Sequence, residues 1–134
     1  MPQPAVKKGD QIIATDIHIV LVPTPPGGNI PTPLPHPFFG LIDGNLSKTV
    51  RINKVPAATV GSTATNRPSH IPTPPGVSFQ VQPTNKGTIT KGSGSVFING
   101  KPAARVGDTV QTCGEPPNLT GQIISTNSTV LIGG

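Results

Sequence analysis

The chain has little of what usually builds a protein core. Its 134 residues include four Phe, no Trp and no Tyr, and hydrophobic residues make up only 33%. Aromatic side chains bury the largest areas, so a core with few of them is thin. Small domains with thin cores usually need an additional cross-link, such as a disulfide or a structural metal. The single cysteine, Cys113, excludes an internal disulfide from that role.

Long apolar segments are also missing. The longest uninterrupted apolar run is Ile19–Val22, whereas a membrane-spanning helix needs about 20 such residues. The N-terminus, MPQPAVKKGD, has no apolar stretch after it, so no secretory signal is visible. If the protein leaves the cell, we expect it to be assembled in the cytoplasm and carried out by something other than a signal peptide.

The positive charge is not organised for nucleic acid. The net charge is +5 and the pI is about 9.9, but the ten basic residues are scattered along the chain. No aromatic residues alternate with them to stack on bases. The charge pattern therefore predicts a solvated basic surface and no nucleic-acid partner.

Proline and glycine are abundant, at 18 and 16 residues, and a chain with this composition and no periodicity would be disordered. An internal repeat argues against disorder. Thr49–Ser62 (TVRINKVPAATVGS) aligns with Ser95–Asp108 (SVFINGKPAARVGD) without a gap, and eight of fourteen positions are identical. Such agreement indicates that a structural unit recurs.

The two halves of this unit recur at the ends of the chain. Pro4–Asp10 matches Pro102–Asp108, and Thr129–Gly134 matches Ser95–Gly100. The chain therefore makes three passes of one unit, which predicts a closed object with pseudo-three-fold symmetry whose termini meet. The repeated segments alternate apolar and polar residues at period two, and Asn99-Gly100 is a hairpin turn signal. The sequence predicts an all-β fold of short strands, with little or no helix and with stiff proline-rich excursions between the strands.

Three histidines and the cysteine are the candidate soft-metal ligands. His18 and His70 each lie eight residues after the end of a repeat unit, and Cys113 lies five residues after the third. A three-fold cone would bring one of these residues per pass to its axis. His36, in the longest excursion, would be the fourth. Three imidazoles and one thiolate suit a tetrahedral zinc ion, so we expect Zn²⁺ at His18, His36, His70 and Cys113.

These residues carry a family resemblance. Pro102–Arg105 reads PAAR within NGKPAARVGDTV, the segment VPAATVGS is a degenerate second copy, and the ending TVLIGG is also typical. Over essentially its whole length the chain resembles the PAAR-repeat proteins, in the branch with long proline-rich insertions. Lys8, Lys54 and Thr59 depart from the better copy of the repeat, which leaves only details of each lobe in question.

The resemblance implies a cone of short strands that is pinned near its apex by zinc on three His and one Cys. It also implies a single domain over residues 1–134, with no C-terminal effector. Such a cone seats on a trimeric β-helical spike of a type VI secretion system, an extracellular injector or a phage-tail-like machine. We expect one copy per trimer, contacts around Val50–Ile52, Val96–Ile98 and Val130–Ile132, mechanical contact with a target membrane, and effector or cargo proteins as further partners.

Two other functions fit the sequence less well. A zinc hydrolase would need an open metal position and a nearby carboxylate base, but the chain has only five acidic residues and no HExxH motif. A basic zinc module for nucleic acid would need finger-like ligand spacing, which the chain lacks. The sequence thus favours a structural protein that is not an enzyme.

Overall fold

The computed structural model describes residues 2–125 and 127–134, and over these ranges the chain forms thirteen β-strands and no helix. Those residues accordingly offer no helix that would cross a membrane. The strands are β1 (Gln3–Pro4), β2 (Gln11–Pro23), β3 (Asn29–Gly44), β4 (Arg51–Ile52), β5 (Val55–Pro56), β6 (Thr63–Asn66), β7 (Ser78–Phe79), β8 (Lys86–Ile89), β9 (Phe97–Ile98), β10 (Lys101–Pro102), β11 (Val110–Gln111), β12 (Gln122–Ile124) and β13 (Leu131–Ile132).

Three short hairpins, one from each pass of the repeat, form one end of the molecule. They are β4–β5, β9–β10 and the pair made by the two chain ends, β13–β1. In the first two, the turn residues Asn53-Lys54 and Asn99-Gly100 all have positive φ angles. Turns of this hand match the twist of two-residue hairpins. The third hairpin pairs strands from the two ends of the chain, β1 and β13, as the circular repeat predicted.

A closed ring of backbone hydrogen bonds joins the three passes. Val6 N donates to Ala104 O (3.0 Å), Ala104 N donates to Ala58 O (3.1 Å), and Ala58 N donates to Val6 O (2.9 Å). These three residues occupy the same position of the repeat, so each pass donates to one neighbour and accepts from the other. The predicted pseudo-three-fold symmetry is therefore present in the backbone, and we call this end the base.

The turn that follows each pass is held by the same side-chain contact. In every copy the last residue of the repeat accepts a hydrogen bond from the backbone N–H three residues earlier. The pairs are Lys7 N to Asp10 Oδ2 (2.9 Å), Thr59 N to Ser62 Oγ (2.9 Å) and Arg105 N to Asp108 Oδ2 (2.6 Å). Because a hydroxyl also accepts this bond, Ser62 replaces aspartate without loss of the turn.

Two apolar layers stack above the base hairpins. The lower layer is three-fold, with one Ala and one Ile from each pass: Ala5, Ile52, Ala57, Ile98, Ala103 and Ile132. The upper layer is larger and comprises Val6, Ile12, Phe38, Ile42, Ala58, Ala64, Ile89, Ala104, Val110 and Ile123. Neighbours such as Ala5 and Val6 belong to different layers because successive strand residues point to opposite sides.

The first excursion is more regular than the expected polyproline-like segment, because β2 and β3 pair over thirteen residue pairs from Gln11↔Leu41 to Pro23↔Asn29. Every proline between residues 31 and 37 lies at an odd position, opposite an odd residue of β2. The carbonyls of Ile17, Ile19 and Leu21 accept hydrogen bonds from residues outside the hairpin, so odd positions bond away from the partner strand. The prolines thus remove only donors that the hairpin does not use.

This hairpin begins in the upper apolar layer at Ile12 and runs away from the base. Its turn lies beyond His18 by five further strand residues, which is about 15–20 Å at the usual strand rise. A seven-stranded sheet in the order β11-β8-β6-β3-β2-β12, with β7 also paired to β2, curls around the upper layer. We call the end formed by the hairpin and the neighbouring residues 71–77 the apex.

Candidate metal centre

Strand β2 supplies two side chains to the interior just above the upper apolar layer. Its inward residues follow the alternation of a strand, so Ile12, Asp16, His18 and Val20 are buried while Thr15 and Ile17 are exposed. Asp16 and His18 are two residues apart and therefore lie on the same face. Both residues are buried, with exposed fractions of 0% for Asp16 and 1% for His18.

Two loops supply the other members of the cluster. His70 follows β6, and its backbone N–H donates to Asn85 Oδ1 (2.8 Å), while its Nδ1 accepts from Asn66 Nδ2 (3.2 Å). Its ring lies 6.1 Å from that of Phe38, measured between centroids. Phe38 thus forms the floor between the core and the cluster. Cys113 lies in the loop after β11 and is half-buried.

Donor atoms from these four residues converge. Cys113 Sγ lies 3.6 Å from His18 Nε2 and 3.4 Å from Asp16 Oδ2, and Asp16 Oδ2 lies 3.3 Å from His70 Nε2. Each of the four residues offers one donor atom that lies within 4.8 Å of the donor atoms of the other three. A thiol, two imidazoles and a carboxylate at these separations make a group that can hold a metal ion.

His36 lies beside this group but its nitrogens have other partners. It is opposite Asp16 in the hairpin register, and its ring centroid is 5.4 Å from that of His18 and 5.6 Å from that of His70. Nδ1 bonds to Leu34 O (2.8 Å), and Nε2 accepts from the Thr73 N–H (3.1 Å). The structure therefore brings His18, His70 and Cys113 together, whereas ligation by His36 stays a prediction.

Glu115 supports the cluster from outside. Its Oε2 lies 3.3 Å from His18 Nδ1 and accepts the Ile19 N–H at 2.9 Å. A carboxylate on Nδ1 keeps that nitrogen protonated and leaves Nε2 as the lone-pair donor, which is the usual way of orienting a metal-binding histidine. Glu115 thus links the loop that carries Cys113 to the strand that carries His18.

Burial controls the protonation of the candidate donors. Burial, together with the neighbouring Asp16, raises the pKa of the Cys113 thiol to about 11. Burial and the proximity of His70 lower the pKa of His18, and burial is also the main reason that the pKa of His36 is lowered. Burial alone would raise the pKa of Asp16, but hydrogen bonds from His70, Thr112, Cys113 and Asn118 hold it below its usual value.

Access to the cluster is available from one side. A cleft of about 370 Å³ opens beside His18 and Cys113 and is lined in part by Lys86, Gln111 and Glu115. An ion can reach buried donors only if such a path exists. The cleft therefore makes loading of the folded protein sterically feasible.

Sequence reasoning missed Asp16 and Glu115. Both lie two residues from a candidate ligand, Asp16 before His18 and Glu115 after Cys113. In an extended chain that spacing places two side chains on the same face, and this signal could have identified Asp16. The distance between Glu115 and His18 depends on how a loop folds back, which spacing alone does not reveal.

A three-fold base of hairpins below a buried His/Cys/carboxylate cluster defines a β cone with a candidate metal centre. Residues 79–134 match the family model described as the PAAR motif. The match supports the resemblance to PAAR-repeat proteins that the repeats show. A comparison with curated proteins found no match.

Proposed function

We propose that this chain is the tip of the spike of a contractile injection system, of the type VI secretion kind or a related injector. It caps a trimeric β-helical spike with one copy per trimer and helps the spike to pierce a target membrane. It is assembled in the cytoplasm and leaves the cell on the injection apparatus, with effector or cargo proteins as further passengers. The PAAR motif is consistent with this role and points to a structural family and not to an enzyme.

The observation that carries the proposal is the three-fold base. Val50, Val96 and Val130 occupy one position of the repeat, and their exposed fractions are nearly equal at 36%, 37% and 41%. A single chain that presents three equivalent apolar contacts matches the three-fold end of a trimer, whereas a two-fold partner would leave one contact unmatched. The short base strands beside these valines also offer backbone edges for strand addition.

The charge distribution supports the orientation of the apex toward the membrane. From residue 17 to residue 42, and again from residue 68 to residue 85, the chain contains no Asp, Glu, Lys or Arg. Ile30, Ile71 and Val77, which belong to these segments, are exposed. A point without charges avoids the large desolvation penalty that ionised side chains would meet on entering lipid.

A zinc ion is the metal that suits the cluster best, because thiolate and imidazole donors together favour zinc over harder cations. His18, His70 and Cys113 would hold it, with a fourth donor from Asp16 or from the predicted ligand His36. The ion would supply a cross-link and no reaction. It would fasten one segment from each of the three passes, and this compensates for a thin core.

Co-purification with a trimeric spike protein from the same genome tests the proposal. Native mass measurement should show one copy of this chain per trimer. A variant with Val50, Val96 and Val130 all replaced by Asp should bind at least about 100-fold more weakly, because unpaired charges would be buried at the contact.

The matched control places charges at the other end of the molecule. Ile30→Asp and Ile71→Asp alter apolar residues at the apex that are more exposed than the base valines, and they should leave binding to the spike unchanged. Three copies per trimer, or loss of binding from the apex variants alone, would contradict the proposed orientation.

A further inference from the structure

We propose that a cleft beside the base, between the second and third passes of the repeat, accepts an acidic side chain from one subunit of the trimeric spike. The inference rests on the proposed function, since it names the chemistry of one contact in that complex. It concerns a single cleft, so it can fail while the spike-tip role stands.

The fourth residue of each PAAR-type segment occupies the same place in the fold. In each copy it forms a β-bridge with the alanine at the second position of the neighbouring pass: Lys7 with Ala57, Thr59 with Ala103 and Arg105 with Ala5. The three side chains therefore start from equivalent points, each beside a space between two passes. A comparison of the copies shows what each of these spaces holds.

In the third pass the space is filled by the guanidinium group of Arg105. This group donates to Asp108 Oδ1 (2.8 Å), to Gly92 O (3.4 Å) ahead of β9, and to Gly133 O (3.2 Å) just after β13. It therefore ties the end of one excursion to the hairpin of the neighbouring pass, and its charge is balanced by an acid of its own turn.

In the first pass the corresponding space holds the ammonium group of Lys7. Its Nζ lies 3.1 Å from Asp10 Oδ1 and 3.4 Å from Ser125 Oγ, and the residue is only 7% exposed. The chain thus supplies its own cation, with an acidic partner, to two of the three spaces between passes.

In the second pass the space is open. Thr59 is short, the equivalent turn residue Ser62 carries no charge, and a cleft of about 410 Å³ has Thr59 in its wall. Leu46 and Asn99 also line it, and they occupy the repeat positions of the two glycines that Arg105 contacts. The cleft is therefore the counterpart of the space that Arg105 fills in the third pass.

The charges around the cleft favour an anionic occupant. Lys48 and Lys101 line it and are exposed, and among the described residues neither ammonium group has a hydrogen bond or an ion pair. The five acids of the chain have partners elsewhere: Asp10 with Lys7, Asp108 with Arg105, Asp43 with Arg67, Asp16 with His70 and Glu115 with His18. An incoming carboxylate would thus meet two cations and no competing anion.

The rest of the lining suits a carboxylate that is carried on a short apolar stem. Thr49 Oγ1 accepts a hydrogen bond from Asn99 Nδ2 (2.8 Å), so its own O–H remains as a donor. Leu46 and Ile98 present carbon to the same cleft. Aspartate and glutamate side chains combine a charged end with such a stem, and the cleft is large enough to admit one of them.

The position of the cleft indicates that the acid comes from the spike. Thr49 directly precedes Val50, Ile98 belongs to the lower apolar layer, and Lys101 lies on β10. The cleft therefore adjoins the valines that are proposed to seat on the spike. A trimer presents three identical acids, and this chain has one open cleft for them. One subunit fills it, while the other two face spaces that Lys7 and Arg105 already close.

The first test removes the two cations of the cleft. Lys48→Gln combined with Lys101→Gln should weaken binding to the trimeric spike about three- to tenfold and reduce the salt dependence of the association rate. Lys8→Gln combined with Lys86→Gln is the matched control, because it removes the same charge from exposed lysines outside the cleft, and it should change affinity by less than about twofold. Equal effects of the two pairs would overturn the inference.

The second test closes the cleft from within and leaves the net charge unchanged. Thr59→Arg combined with Ser62→Asp copies the pair of Arg105 and Asp108 into the second pass. The midpoint of urea unfolding should not fall, because the fold already uses this pair, whereas binding to the spike should weaken at least about tenfold, since the acid loses its place. A folded double variant that binds like the wild type would overturn the inference.

The valine variants of the base separate this inference from the proposed function. If replacing Val50, Val96 and Val130 abolishes binding while both cleft variants bind normally, the cleft has no acidic occupant but the spike-tip role stands. If the wild-type chain does not bind the trimeric spike, both proposals are wrong.

Discussion

The stability of the fold should depend strongly on one aromatic ring. Phe38 is 2% exposed and is the one Phe within the upper apolar layer. Its ring lies against two glycines so closely that a Cβ built on Gly40 or Gly87 would be 2.7 Å or 3.2 Å from a ring atom. Because backbone lines the space around the ring, the site cannot collapse readily when the ring is removed.

Phe38→Ala should therefore lower the free energy of unfolding by an amount in the upper part of the range of about 3–5 kcal/mol that such truncations cost. A loss of this size is a large part of the about 5–15 kcal/mol that stabilises a typical domain. Phe38→Leu, which keeps most of the volume, should cost less than half as much. His70 packs on the same ring, so the Ala variant should also release metal faster.

Urea unfolding followed by circular dichroism measures these effects, with the free zinc concentration held fixed because bound metal adds to the apparent stability. Phe97→Ala is the matched control, since Phe97 is 57% exposed and should change the free energy of unfolding by no more than about 0.5 kcal/mol. If Phe38→Ala were as mild as Phe97→Ala, the upper layer would not be the core of the fold.

Three further expectations concern the base and the metal. The amides of Val6, Ala58 and Ala104, which close the backbone ring, should exchange hydrogen only on global unfolding; exchange as fast as in the apex turn would contradict a closed ring. Zinc affinity should fall about tenfold per pH unit from pH 8 to pH 7, because the Cys113 thiol, with its pKa raised to about 11, must lose a proton to bind. A zinc affinity that does not change with pH, measured by chelator competition, would argue against thiolate ligation. Asp108→Ala should lower the free energy of unfolding in urea by about 2–3 kcal/mol, since it removes the acceptor for the backbone and guanidinium N–H groups of Arg105 (2.6 and 2.8 Å). A loss no larger than that caused by Asp43→Ala, at an exposed acid, would refute this role.

The parts of the fold that the sequence predicted are those in which one unit recurs. The alignment placed Asp10, Ser62 and Asp108 at the same repeat position, and in the structure each supplies one acceptor to the equivalent backbone N–H. The meeting of the chain ends at β13–β1 followed from the same frame. A repeat makes such predictions possible since its copies must satisfy identical local bonds.

The excursions were harder to predict because they do not repeat. Prolines at residues 31, 33, 35 and 37 suggested a polyproline-like loop, yet their shared parity is what allows β3 to pair with β2. Similarly, the position of His36 near His18 was expected, but its bond to the Thr73 N–H was not. That bond depends on how two excursions meet, which no local pattern encodes.

The base and the metal centre solve two different problems of a small chain. The base closes on itself, since each pass bonds to both of its neighbours through Val6, Ala58 and Ala104. The excursions have no such closure, and their candidate donors come one segment from each pass: Asp16 and His18 from the first, His70 from the second and Cys113 from the third. A metal at that point would join the three excursions just where the shared apolar core ends. Repeat symmetry therefore holds the wide end of the cone together, and a bound metal would add its cross-link toward the narrow end, where fewer apolar side chains are shared between the passes.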